Sequence, residues 1–224
     1  MTFGEGVDRR LDRAPAVELP SVTPRLPRAF FARPAVEVAR DLIGRVLHVR
    51  DGAGVLVGTI VETEAYGGET DLASHASFRR NGNVRVVWGT PGLVYMYTAY
   101  GLHAMLNLVT DGEGQAGAVL IRALEPVAGI ETMRVRRPGI PDARLCAGPG
   151  SLCRALGISL ADQEMDTVTS DRLWLTAGEA PRDPRAGVRI GITRAVERPW
   201  RFFDAASRSV SAHRRGEPFP GGGV

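Results

Sequence analysis

The alternation of apolar and polar positions predicts short strands that follow one another with few helices between them. Residues 35–43 repeat apolar side chains at helical spacing, and Gly44 stands where such a helix would stop. Runs 46–49 and 55–65 are rich in β-branched residues and are joined by Asp51-Gly52-Ala53-Gly54, the composition of a hairpin turn. Further strands are predicted at 85–88, 93–98, 103–110 and 118–124. Their connections, Gly89-Thr90-Pro91-Gly92 and Asp111-Gly112-Glu113-Gly114, have turn chemistry. Residues 127–137 and 151–156 read as helices, and 172–176 and 187–193 return to strand. Strands that succeed strands pair antiparallel, so the expected class is α+β. The expected architecture is a single domain: a mostly antiparallel, curved sheet with helices at its margins and a protruding hairpin that carries tyrosines.

Both ends differ from this pattern. Pro15, Pro20, Pro24 and Pro27 among charged and small residues make 1–27 an expected flexible arm, and Pro-Gly-Gly-Gly marks 216–224 as a tail. That leaves 28–215 as the folded domain. The 224 residues are 44% hydrophobic and 24% charged, an ordinary globular composition. A chain of this size buries roughly 70% of its unfolded surface and needs neither metal nor disulfide to hold a core. No apolar run reaches the ~18 residues of a membrane span, and residues 1–13 lack the apolar segment of a secretory signal. Cys146 and Cys153 make no disulfide framework and read as small buried hydrophobes. Four scattered histidines make no zinc signature. We expect no metal, no other cofactor, and a reducing cytoplasmic setting, nucleoid-associated in a bacterium.

All 28 basic side chains are arginine. A GC-rich genome accounts for the bias, but the chemical consequence stands: no side chain here can form a Schiff base. A net charge of +3 is a weak pointer to nucleic acid. Its distribution says more, because 72–110 contains no Asp or Glu while holding Arg79, Arg80 and Arg85.

Four stretches carry candidate chemistry. In Val61-Glu62-Thr63-Glu64-Ala65-Tyr66, period two puts Glu62, Glu64 and Tyr66 on one strand face. That face is either a polar site at a sheet edge or a solvated surface. His75 is either structural or a donor and acceptor for a base edge. Tyr95, Tyr97 and Tyr100 fall within six residues. The first two share a face and form either a core pair or a stacking surface. Tyr100, before Gly101 at a turn, reads as an exposed ring, and stacking on a base is worth ~1–3 kcal/mol. Gly148-Pro149-Gly150-Ser151 would open a helix whose free N–H groups suit a phosphate.

These pieces, in this order, resemble the alkyladenine (3-methyladenine) DNA glycosylases. The matching stretches are Ala39-Arg40-Asp41-Leu42-Ile43-Gly44, the run from Ile60 to Tyr66, Ala73-Ser74-His75, Tyr95-Met96-Tyr97-Thr98-Ala99-Tyr100-Gly101, Leu106-Asn107, the run from Val119 to Pro126, and Leu145-Cys146-Ala147-Gly148-Pro149-Gly150. One stretch departs. Where the family carries an Arg-Asn pair and then Met-Phe-Gly-Pro-Pro-Gly, this chain has Asn83-Val84 and Val87-Trp88-Gly89-Thr90-Pro91-Gly92. The family's backbone contacts in that loop are therefore not carried over.

The resemblance implies a repair enzyme that flips alkylated purines out of duplex DNA, cuts the N-glycosidic bond with water and leaves an abasic site. It implies Glu64 as the base for that water, with Arg122 orienting it or holding the flipped phosphate. Tyr66, His75 and Tyr97 would line the base pocket, and Asn107 would exclude normal guanine. Tyr100 would fill the vacated stack. Arg79, Arg80, Arg85, Leu102 and His103 would contact DNA. The implied enzyme is monomeric and monofunctional. Its lesions are 3-methyladenine and 7-methylguanine, with hypoxanthine as a further candidate. Two rivals are a non-catalytic damaged-DNA binding module on the same scaffold and a small-molecule nucleoside hydrolase.

Overall fold

The computed structural model describes residues 23–52, 54–211 and 216–218. The chain begins with α1 (Arg28–Phe31) and α2 (Ala35–Asp41), followed by the hairpin β1 (Val46–Asp51) and β2 (Gly54–Tyr66). Then come β3 (Val94–Ala99), β4 (His103–Val109) and β5 (Ala118–Ala128), α3 (Ile130–Arg136) and α4 (Pro149–Leu156). Four short strands close the domain: β6 (Leu173–Thr176), β7 (Pro184–Gly187), β8 (Arg201–Asp204) and β9 (Glu217–Pro218). This is the expected α+β class with an antiparallel sheet.

The long strand β2 organises that sheet. One edge of β2 pairs with β5 from Val57 to Tyr66. Its other edge changes partner, pairing with β1 from Gly54 to Thr59 and with β8 from Glu62 to Glu64. The main path runs β3-β4-β5-β2-β8-β7-β9, and β6 flanks β1. Register shifts against β5 lie between Val57 and Gly58 and on both sides of Glu62. Such bulges bend a strand and redirect side chains.

Alternation along the strands sorts the two faces. Ile60 and Ala65 of β2, Val94 and Met96 of β3, Leu106 and Leu108 of β4 and Ile121 of β5 join the main core. There they pack with Val38, Ala39 and Leu42 from α2 and Leu152 and Leu156 from α4. The opposite face receives Tyr95, Val109 and Ala118, covered by Ala76, Val84, Val86 and Val87 from the loop before β3. Among the described residues no helix is long and apolar enough to cross a membrane.

Several expected elements change. Residues 85–88 belong to a 3-10 helix, Gly82–Trp88. Val84 and Val87, three apart, both turn inward there, the face repeat of a 3-10 helix. Strand β5 runs on to Ala128, with Pro126 opposite Gly58 at a bulge, where a missing N–H is tolerated. Helix α3 starts only after Gly129, whose φ is 73°. Strand β7 ends at Gly187, so 188–193 is not a strand. Strand β8 was not anticipated. Of the expected N-terminal arm, residues 23–27 are described and pack on the domain: Leu26 is buried and Arg25 donates to the Ser170 carbonyl at 2.7 Å. Residues 217–218 of the expected tail pair with β7. The remaining positions of both segments lie outside the described residues.

Helix α2 stops at Asp41, and Gly44 closes the turn that follows it. Its φ is 87°, and a Cβ there would stand 2.0 Å from the Glu179 carbonyl oxygen. Gly44→Ala should destabilise the fold by about 1–3 kcal/mol through strain and overpacking. A thermal melt checks this, and an unchanged midpoint would count against the close approach described here.

Candidate active site

Four strands align one row of residues across the sheet. Glu64 on β2 stands opposite Leu120 on β5, Leu120 opposite Asn107 on β4, and Asn107 opposite Tyr95 on β3. Period two adds Glu62, Tyr66 and Tyr97 to the same face. On the other face the Thr63 hydroxyl donates to the Ala39 carbonyl of α2 at 2.7 Å, so β2 divides its faces between helix and site.

Arg122 enters through the bulge. Ile121 pairs with Thr63 and Ala123 with Glu62, which leaves Arg122 as the extra residue on β5. Its Nε donates to Glu62 Oε1 at 3.0 Å, and its Nη1 lies 3.2 Å from Glu64 Oε1. Both carboxylates have zero exposure, so the segment is not a solvated surface.

The two glutamates differ in what surrounds them. Glu62 accepts from Arg122, from Arg201 Nε at 2.7 Å, and from the Ser211 hydroxyl and N–H, each at 2.7 Å. A carboxylate takes about four such bonds, so Glu62 is saturated. Burial pushes its pKa up, but the Arg122 and Arg201 charges and the Ser211 bonds outweigh that and hold it below the usual range. Glu64 accepts the Ile190 N–H at 2.7 Å, the Tyr66 hydroxyl at 2.8 Å and one Arg122 contact. About one acceptor position is left. Burial raises the Glu64 pKa, and the Arg122 charge with those hydrogen bonds offsets it only in part. Environments that drive two carboxylates apart in this way assign them different work.

A cleft of 1310 Å³ is walled in part by Tyr66, Arg122 and Ile190, the three residues bonded to Glu64. His75, Tyr97 and Asn107 also line it. The His75 and Tyr97 rings meet edge to face with centroids 4.6 Å apart, and His75 Nδ1 lies 2.7 Å from the Tyr95 hydroxyl. Burial, reinforced by the Arg79 charge, lowers the His75 pKa and so favours the neutral imidazole. Tyr95 is buried and Tyr97 half-buried, both border the cleft, and burial pushes the Tyr97 hydroxyl up to about 12. The Asn107 amide nitrogen donates to the Tyr95 and Met105 carbonyls at 3.1 and 3.3 Å, which fixes its orientation.

Tyr100 and Leu102 stand at the hairpin tip, 86% and 80% exposed, with His103 exposed beside them. Tyr100 has a φ of 53°, an uncommon conformation for a bulky residue. Arg79 at the cleft's lip and Arg85 on the Gly82–Trp88 helix are exposed, without a carboxylate partner among the described residues. Arg80 is ion-paired to Glu69 and lies over the Trp88 ring, so it offers less free charge than its neighbours. Gly148 and Pro149 do open α4, and Gly150 sits against His103, where a Cβ would come within 2.9 Å. Cys146 and Cys153 are buried, with thiols pushed up to about 12.

Sequence reasoning did not find Ile190, Arg201 or Ser211, all three on Glu62 or Glu64. An arginine inside the apolar run Trp200-Arg201-Phe202-Phe203 was the one available signal.

A family model for the methylpurine-DNA glycosylases matches residues 29–208. Relatives bearing the name "Putative 3-methyladenine DNA glycosylase" cover most of the chain. One from Methanocella arvoryzae is 44% identical over 87% of this chain and 99% of its own length. One from Rhodopseudomonas palustris is 47% identical over 84% and 90%, and one from Granulibacter bethesdensis 46% identical over 88% and 92%. Matched over most of its length by both the model and these relatives, the chain belongs to the methylpurine-DNA glycosylase family.

Proposed function

We propose that the protein is a monomeric, monofunctional DNA glycosylase of base-excision repair. It flips alkylated purines from duplex DNA into the cleft and hydrolyses the N-glycosidic bond, leaving an abasic site. The observation that carries this reading is the contrast between the saturated Glu62 and the more basic Glu64, which keeps a free acceptor position behind a cleft lined with aromatic rings.

A base inside a duplex must leave the stack before its glycosidic bond can be reached, and damage lowers the cost of extrusion. Tyr66, His75 and Tyr97 offer the rings to hold it, and Asn107 opposes the exocyclic amine of normal guanine. Tyr100 fills the gap in the stack as a minor-groove wedge. Water then attacks C1′ on the face opposite the base and passes its proton to Glu64, while the glycosidic electron pair departs with the purine. 3-Methyladenine and 7-methylguanine carry a positive charge before cleavage and leave neutral. Hypoxanthine needs an added proton. Arg122 stays charged, pairs Glu64 and orients it and the water at the cleft wall. Arg79 at the lip and Arg85 beyond it meet phosphates, with Leu102 and His103 at the hairpin tip. The working place is the cytoplasm.

Glu64→Gln should abolish release of 7-methylguanine while leaving lesion binding within about tenfold, since it removes the proton acceptor and keeps the volume. Retention of more than about a tenth of the turnover would refute the assignment. Because 7-methylguanine is already cationic, the acid limb of the wild-type rate reports the carboxylate alone. Activity should fall with decreasing pH through a midpoint above 4.5, the ordinary glutamate value. A midpoint at or below it would count against Glu64.

Tyr100→Ala should weaken lesion-specific binding more than non-specific binding, since it removes a plug and no charge. Replacing Arg79 or Arg85 should instead lower the salt slope. Equal losses of both affinities in Tyr100→Ala would remove the wedge role.

With no lysine in the chain, the N-terminus is the only primary amine, and the nucleophile in this reading is water. Borohydride should trap no covalent adduct on damaged duplex, and strands should break only after alkali. A trapped adduct would overturn the water mechanism.

A further inference from the structure

Arg189 and Asp71 form an ion pair that the scheme above leaves without a task. Both side chains are sealed from solvent. The pair is bidentate, with Arg189 Nη1 on Asp71 Oδ2 at 2.5 Å and Nη2 on Oδ1 at 2.8 Å. Nη1 also donates to the Ala65 carbonyl at 2.9 Å. The guanidinium lies between two rings, 4.9 Å from the Tyr66 centroid and 5.2 Å from that of Trp200. Asp71 accepts the N–H groups of Gly67 and Ala73 at 3.2 and 3.3 Å, in the loop that leads from Tyr66 to His75. A buried ion pair is a poor device for stability alone, because desolvation cancels much of its attraction.

Three pieces meet at this guanidinium: the end of β2, the 67–73 loop, and segment 188–194, which lies in no strand. The residue after Arg189 is Ile190, whose N–H reaches Glu64 Oε1. We propose that the Arg189–Asp71 pair is a positioning clamp that keeps the Ile190 N–H on Glu64 and the Tyr66 ring beside it, holding Glu64 in one orientation toward the cleft. It acts through those groups and touches no substrate, and it rests on Glu64 being the proton acceptor.

The groups facing Glu64 are Arg122 from β5, Arg201 opposite it on β8, Tyr97 from β3, Glu62 and Tyr66 on its own strand, and Arg189 itself. Loosening the Ile190 N–H while these remain withdraws a bond that favours the carboxylate form, so the acid limb moves to higher pH. Arg189→Lys keeps the charge and loses the planar fork.

For the full-length protein with 7-methylguanine duplex, Arg189→Lys should lower the single-turnover rate roughly 10- to 100-fold, as a small misplacement of a catalytic group does. Its acid midpoint should rise, with lesion binding changed by less than about threefold. Trp200→Leu removes one ring and no charge, and should move rate and midpoint in the same direction by less. A folded Arg189→Lys with the wild-type rate and an unmoved midpoint would overturn the clamp. So would loss of the fold in both variants, which would make the pair structural. Glu64→Gln, run alongside, separates the failures. Full turnover there defeats the reading of Glu64 itself, whereas an inert Glu64→Gln beside silent clamp variants defeats only the clamp.

Discussion

Two carboxylates cannot lie side by side inside a sheet unless cations are buried with them. Here that compensation is Arg122, placed by a bulge between Glu62 and Glu64, with Arg201 as the second cation. Leaving any one of these charges unpartnered in the interior would cost several kcal/mol. The surrounding architecture serves the arrangement. The partner change of β2 brings β8 and its arginine alongside Glu62, and the bulges turn Arg122 toward both acids. The Ser211 segment closes over the remaining oxygen.

The same arrangement makes two chemically identical residues unequal. Glu62 is surrounded by donors until nothing more can bind it, and it serves as the anchor. Glu64 has weaker compensation and an open position, so it keeps the higher proton affinity. The anchored neighbour makes this possible, since most of the arginine charge is already committed to Glu62. Site and scaffold share one strand, with Thr63 tied to α2 between the two acids.

Local regularity explains what the sequence disclosed. The β1–β2 hairpin, the tyrosine hairpin and the turn at Gly44 follow from alternation and turn residues, which are neighbours along the chain. Glu62-Thr63-Glu64-Ala65-Tyr66 was legible because alternation and chemistry coincide there. The failures share a different cause. Residues 188–193 carry the apolar alternation of a strand, yet their polar groups go to Asp71 and Glu64 instead of a ladder. Val84, Val86 and Val87 are β-branched, yet the loop is held as a 3-10 turn by burial against Tyr95 and Val109. Strand β8 is four residues long and starts with an arginine that only a remote glutamate makes acceptable. Arg122 drew attention only through family resemblance, because no local pattern reveals which residue of β5 is the bulged one.

The chain order of the residues around Glu62 and Glu64 has a consequence for synthesis. The two acids are made early. Their partners follow much later: Ile190 is 126 residues after Glu64, and Ser211 is 149 residues after Glu62. Translation proceeds from the N-terminus, and contacts between distant residues close late. A chain still on the ribosome therefore holds the acids, the tyrosine hairpin and Arg122 before it holds the elements that set their charges. The elements that set the charges of the two acids are in place only when nearly the whole polypeptide has emerged.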